Sequence, residues 1–392
     1  MTRTMESSQV LQVNIGPERK FMPGGLQPFM VRAADGRLYA IGQLPVPLGT
    51  HFPGVFGACV SDDAGKTWQK WSQADLPGGS VFFEGCATVL KRDNNALIML
   101  PHSFKAAQPE GWWEAPLWES RDNWRTVRRA TTARLHLPQA KGGFDDDGHK
   151  APEVFLHRTL LELPSGELLL TGYGWFKGDE IPSTYRPTMN KFRTLLFHSS
   201  DKGRTWSLRA TVAYGDVGEE AFNEPVMVRI SKGPNAGRLL VHMRTGSNKT
   251  FRHNPIHQSH SDDEGRTWSS PQPLPFCGNV DPELIEMSDG TLVSGFGYRT
   301  FESRVNLTSE PKTMGKGHGN YIAFSTDHGQ TWIQETQVTD DPSTCYVAIA
   351  ETSPGKLAYV YDIGDAWQHV WIGNEGIERG LGCREIEVRR ST

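Results

Sequence analysis

The eight residues SDDEGRTW, Ser261 to Trp268, recur along this chain and constrain its fold more than any other feature. Intact copies read SDDAGKTW from Ser61, SSDKGRTW from Ser199 and STDHGQTW from Ser325. A worn copy, SRDNWRTV, starts at Ser120, with Trp124 where the others have Gly and Val127 where they have Trp. A period of roughly 60 to 80 residues, longer than a solenoid unit and filled with short strand-like runs, predicts propeller blades.

A second repeat gives the same reading independently. Turn residues followed by a small apolar run appear as DGRLYAI at Asp35, NNALIML at Asn94 and SGELLLT at Ser165. They return as AGRLLVH at Ala236, DGTLVSG at Asp289 and PGKLAYV at Pro354. A Gly or Asn able to take positive φ between two strand-like segments is a hairpin signal. Six such turns predict an all-β fold, a six-bladed β-propeller with Asp-box turns, as one domain over residues 1–392. Both chain ends would close the last blade, Val10 to Ile15 lying near Glu385 to Val388.

Within each SxDxGxTW unit the residue types have plain roles. The Asp carboxylate can accept backbone N–H bonds across the turn, with Ser assisting. Gly supplies positive φ, and Trp falls on a face that packs between blades. A calcium loop would need more oxygen ligands than the unit offers.

Composition narrows the function classes. The net charge of -4 and pI near 6.4 argue against a nucleic-acid surface. No apolar run is long enough to span a bilayer. Five cysteines without CxxC spacing suggest reduced thiols. The first residues, MTRTMESSQVLQVNIG, lack the apolar core of a signal peptide, so the expectation is cytoplasmic, or secreted if a leader has been removed. No cofactor is expected.

Repeated SxDxGxTW turns on a six-bladed propeller resemble the Asp-box signature of the sialidase (neuraminidase) superfamily. The resemblance covers essentially the whole chain. It implies an exo-acting glycoside hydrolase with a glycan as its partner.

Aligning the blades on their hairpins locates a candidate centre. Counting back nine residues from each hairpin Gly or Asn gives Gln27, Cys86, His157, Asp281 and Tyr346. Matching NEPVMV to VDPELI and LQPFMV adds Glu224. Counting seven forward gives Gln43, His102, Tyr173, Arg244, Gly297 and Asp362. A convergent polar ring between apolar strands is the default site.

The resemblance assigns roles to some of these positions. It implies that Glu224 is a catalytic Glu, Arg244 a carboxylate-binding Arg and Tyr346 the nucleophile, with Asp362 where a Glu is usual. A buried Glu can take the phenol proton and activate a weak nucleophile. Arg299, in GFGYR, would supply a further Arg for an anionic, sialic-acid-like sugar. The family's first Arg, in an Arg-Ile-Pro unit, is absent here, where GGLQPFM places Gln27. The loop before the first Asp box, which usually carries the acid, holds only His51. Glu84, Glu153 and Asp281 are therefore the candidate acids, Asp281 by pairing with Glu224.

Two other readings stand beside this one. His102 and His157, with Tyr173 and Arg244, could abstract a proton next to a uronate carboxylate, as in a lyase. No spacing motif supports a metal on these histidines, and no metal is expected. A non-sialic exo-glycosidase or a non-catalytic carbohydrate-binding propeller also fits. Trp175 and Phe176, in GYGWFKGDE, could stack on a sugar or pack against the neighbouring blade.

Overall fold

The computed structural model describes residues 11–44, 55–71, 85–144, 150–184, 188–246, 255–275, 280–298, 319–341, 343–364 and 379–390. His51, Glu84 and Arg299 lie outside the described residues. The described chain is all β, with one 3-10 turn at Lys91–Asp93 and no α-helix.

Its unit is an antiparallel meander of four strands. One sheet runs Leu26–Arg32, Leu38–Leu44, Val55–Ser61, Gln69–Lys70. A second runs Asn223–Arg229, Leu239–Arg244, His257–Ser261, Gln272–Pro273, and a third Val280–Glu286, Leu292–Tyr298, Gly319–Ser325, Ile333–Thr339. Two further meanders, beginning with Cys86–Leu90 and Glu153–Glu162, merge into one ten-stranded sheet. They join through parallel pairings, Arg134↔Thr205 to His136↔Ser207 and Thr159↔Ala87. The last sheet runs Val347–Ser353, Lys356–Ile363, Gly380–Arg390, and Leu11–Ile15 from the other end of the chain completes it. Leu11 pairs with Arg390 and Ile15 with Ile386.

The Asp box is a closed hydrogen-bonded turn. In the copy at Ser261, the Ser hydroxyl donates to Asp263 Oδ1 (2.8 Å) and accepts the Gly265 N–H (2.8 Å). Thr267 gives Asp263 its backbone N–H (2.9 Å) and its hydroxyl (2.7 Å). Gly265 takes φ +84°, which favours Gly, and an added Cβ would sit 2.3 Å from the Leu196 side chain of the neighbouring meander. Box tryptophans pack onto another sheet: Trp68 stacks on Phe21 at 4.3 Å, and the Trp332 ring lies 4.9 Å from His242. The worn copy keeps the turn, with Trp124 itself at φ +63° and its ring stacked on Trp71 at 5.6 Å.

These turns predict an acid limit to stability. Asp263 is held at about 2, first by the Thr267 N–H and hydroxyl, then by Ser261. At Asp63 burial pushes upward, but the bonds from Thr67 and Ser61 overcome it and hold the group at about 2. Asp122 and Asp201 are lowered for the same reason, burial again opposing. The unfolded chain, with Asp near 3.9, binds more protons on acidification. The contribution is therefore complete above about pH 4 and lost as pH falls toward 2. A melting temperature that drops over that window, followed by near-UV circular dichroism, is the expected outcome. A flat profile there would count against it.

Candidate functional site

The first strands of the meanders pack around one centre: Glu153–Glu162 on Asn223–Arg229, that on Val280–Glu286, that on Val347–Ser353, and that on Leu26–Arg32. At each of four of these strands the ladder is interrupted at the inner end. The breaks fall at Leu26/Phe29, Leu156/Leu160, Asn223/Val226 and Val280/Glu283. A residue in each break has positive φ: Gln27 (+52°), Arg158 (+53°), Glu224 (+40°) and Asp281 (+41°).

The sequence explains three of these bulges. Gln27, Glu224 and Asp281 each precede a proline (Pro28, Pro225, Pro282), which has no N–H to give the ladder. A bulge re-aims the side chain of its extra residue, and here the polar side chains turn to the centre. Strained, non-glycine backbone concentrated in this way is a mark of functional sites.

The third meander differs. His157, Arg158 and Thr159 together face Thr171, between the pairs Leu156↔Gly172 and Leu160↔Leu170. Elsewhere two residues face one, as Glu224 and Pro225 do between Asn223↔Arg244 and Val226↔His242. The Thr171 hydroxyl satisfies the freed carbonyl of His157 at 2.6 Å. The wider bulge brings both His157 and Arg158 to the centre. Hairpin counting assumes equal bulges, so it found His157 and missed Arg158.

Glu224, Arg244 and Tyr346 form one cluster. The Tyr346 hydroxyl donates to Glu224 Oε1 (2.8 Å), and Arg244 Nη1 donates to the same oxygen (2.7 Å) and to the Tyr346 oxygen (3.3 Å). All three are buried. Burial would raise the Glu224 pKa, but the charges of Arg244 and His157, with the hydrogen bonds from Arg244 and Tyr346, pull it down to about 2. Glu224 and Glu220 in turn hold Arg244 well above its ordinary value against the effect of burial. Tyr346 follows Cys345, at φ +67°, whose carbonyl packs where any side chain on Gly297 would go (2.0 Å).

A second cluster lies beside it. Asp281 receives Arg158 Nε (2.8 Å), Arg158 Nη2 and the Val347 N–H (3.1 Å), and His157 Nε2 lies 3.3 Å from its Oδ1. Its own backbone N–H donates to Glu224 Oε2 at 3.3 Å. Arg158 also binds Glu283 (3.0 Å) and the carbonyl of Pro28 (3.3 Å), so it spans the centre between three sheets. Ligand atoms of His157, Glu224 and Asp281 lie within 4.8 Å of one another. A cation there would have to compete with both guanidiniums for these carboxylates.

The other expected residues separate into distinct places. Asp281 is fully buried and both its oxygens are engaged, which fits an anchor better than a proton donor. Asp362 accepts the backbone N–H of Gln27 (2.9 Å) and of Thr344 (3.0 Å), and the Thr344 hydroxyl, so it ties two strands together. Gln27 is buried, with its backbone given to that bond. His102 turns its Nε2 to Glu153 at 3.6 Å. At Glu153 burial pushes upward, yet bonds from His102, Lys105 and Ser103 hold it at about 2, the opposite of what an acid needs.

His157 has Nδ1 3.1 Å from the Pro225 carbonyl and Nε2 facing Asp281, which leaves no nitrogen for abstracting a substrate proton. Tyr173 stacks on Phe155 at 5.1 Å. Trp175 is buried, donates to the Asn190 carbonyl (2.8 Å) and stacks on Phe192 at 4.6 Å, so it is packing and not a sugar platform. The Phe176 ring lies under the Arg193 guanidinium at 4.6 Å.

Comparison with known proteins bears on the fold. A Dyadobacter fermentans protein of unknown function shares 16% identity over 95% of this chain and 99% of its own, with a TM-score of 0.64. A Penicillium chrysogenum α-L-arabinanase, solved with arabinobiose, shares 15% over 96% of each chain (TM-score 0.60). The Hadza microbial sialidase Hz136 shares 15% over 94% of this chain, which spans 66% of that protein (TM-score 0.57). No curated protein matches the sequence. The BNR repeat-like domain matches residues 88–308, more than half of the 392. With its five Asp-box turns and stacked meanders, the chain belongs to the family of BNR repeat-like domains and has the fold of the sialidase-like proteins.

Proposed function

We propose that this chain is an exo-acting glycoside hydrolase on a six-bladed propeller, removing the terminal sugar of a glycan through the Tyr346–Glu224 pair. The observation that carries the reading is the Tyr346 phenol 2.8 Å from a buried Glu224, with Arg244 bridging both. The phenol oxygen attacks the anomeric carbon as its proton passes to Glu224. The glycosidic C–O bond breaks, and the departing oxygen, on the face opposite Tyr346, takes a proton from solvent while Glu224 keeps the phenol proton. Water then attacks the anomeric carbon and yields a proton to solvent, and the departing Tyr346 oxygen takes its proton back from Glu224. Arg244 steadies the developing phenolate charge. That the same fold occurs in an arabinanase and a sialidase supports the reaction class.

The test is incubation with terminal sialosides, arabinosides, rhamnosides and uronides, with product analysis. Release of a free reducing sugar from one class, without absorbance from an unsaturated uronate, is the expected result. Growth of that absorbance would replace hydrolysis by elimination. Binding without turnover across the panel would leave only a carbohydrate-binding protein.

A further inference from the structure

Resting on that reading, we infer that the site takes an uncharged terminal sugar and that Glu220 imposes this choice by occupying Arg244. A guanidinium binds a carboxylate strongly through two parallel N–H groups, either Nη1 with Nη2 or Nε with Nη2. Both forks use Nη2, and in Arg244 that nitrogen is turned to Glu220 Oε2 at 3.4 Å. Nη1 is already given to Glu224 and Tyr346. Nε is buried and has no hydrogen-bond partner among the described residues. A single N–H suits one neutral acceptor, such as a sugar hydroxyl, and cannot form a fork.

Glu220 is built into this place. Its N–H donates to the Thr245 carbonyl (3.1 Å), and its carbonyl accepts the Phe192 N–H (2.7 Å). Asn223 Nδ2 donates to its Oε2 at 3.2 Å. Gly246 leaves the room, since a Cβ there would sit 2.7 Å from that oxygen. Glu220 and Arg244 are each 8% exposed in their side chains, so water screens the pair little.

The surrounding charge points the same way. The other central guanidinium, Arg158, is also matched by two carboxylates, Asp281 and Glu283. Across the two clusters, four carboxylates thus face two guanidiniums and the His157 ring. An incoming carboxylate would meet like charge, whereas a neutral sugar gains positive charge on the way to its oxocarbenium-like transition state. Negative surroundings therefore favour the transition state of a neutral sugar over its ground state, which is what accelerates a reaction.

The experiment compares binding and turnover of matched glycosides, a neutral hexose and its uronic acid, together with free N-acetylneuraminic acid. Wild type and Glu220→Gln are both used, and Gln keeps the shape and one acceptor for Asn223 and Arg244. The wild type is expected to prefer neutral members by at least about tenfold. In the variant, the ratio should move toward the carboxylated members by about tenfold or more, with near-UV circular dichroism confirming that the variant is folded. A wild type that binds or cleaves the carboxylated members equally well would overturn the inference and leave the hydrolase reading standing. An unmoved ratio in the variant would remove Glu220 from the explanation. Turnover of nothing, with calorimetric binding still favouring neutral sugars, would instead reject the hydrolase reading alone.

Discussion

Glu224→Gln should lower kcat by about 10²- to 10⁴-fold while KM stays within a few-fold. Gln fits the same space and can still accept from Tyr346 or Arg244, so the cluster keeps its shape. What it loses is the negative charge that receives the phenol proton and the counter-charge for Arg244. Glu224 sits at about 2 because Arg244, His157 and Tyr346 stabilise its ionised form against burial, so it stays ionised throughout the neutral range and holds the phenol proton in a charge-assisted hydrogen bond. Tyr346→Phe removes the attacking oxygen and should reduce turnover at least as far, without touching the ion pair. The two losses should not add, because the residues act as one unit. Steady-state kinetics on whichever glycoside the panel identifies would check this. Full turnover in Tyr346→Phe would sink the nucleophile assignment even if Glu224→Gln were dead.

The repeats make the sheets readable from the sequence. Periodic turn chemistry fixes local backbone geometry, and each Asp box closes through its own eight residues, as the bonds of Ser261, Asp263 and Thr267 illustrate. The pairing of Leu11–Ile15 with the C-terminal strand is long-range, yet it follows once six hairpins outnumber five boxes. The centre was only partly readable. Gln-Pro, Glu-Pro and Asp-Pro announce the bulges at Gln27, Glu224 and Asp281, because a proline advertises its missing N–H. Nothing announces the wider bulge at His157–Thr159, whose extra residue is held by the Thr171 side chain from the next strand. Arg158 was invisible for that reason. That an arginine fills the other side of Asp281 is likewise not legible from one count. Glu220 falls between the counted positions, on a connection whose course depends on the Thr245 and Phe192 backbones.

Arg158→Met is expected to destabilise the fold by about 3–5 kcal/mol, the cost of leaving a buried charge without its partner. Arg158 and Asp281 have side chains only 5% and 0% exposed, and Arg158 also meets Glu283 and the Pro28 carbonyl, so one side chain ties three sheets together. Removing it strands Asp281 in a site with little water. Asp281→Asn should cost less, because Asn tolerates the +41° φ and can still accept the Val347 N–H. The double variant should be more stable than the sum of the single losses, with a coupling of about 0.5–3 kcal/mol, since neither member is left charged alone. Urea denaturation of the three variants measures that coupling, and simple additivity would show that the pair is not an energetic unit. The outcome also separates two roles at the centre. Asp281 reaches Glu224 through its backbone N–H and the strand of Tyr346 through Val347, so its carboxylate sets where base and nucleophile meet. Asp281→Asn should then lower kcat more than it raises KM, although both Asp281 oxygens are engaged by protein groups. A variant that loses stability but keeps its kcat would make the pair a structural tie and nothing more.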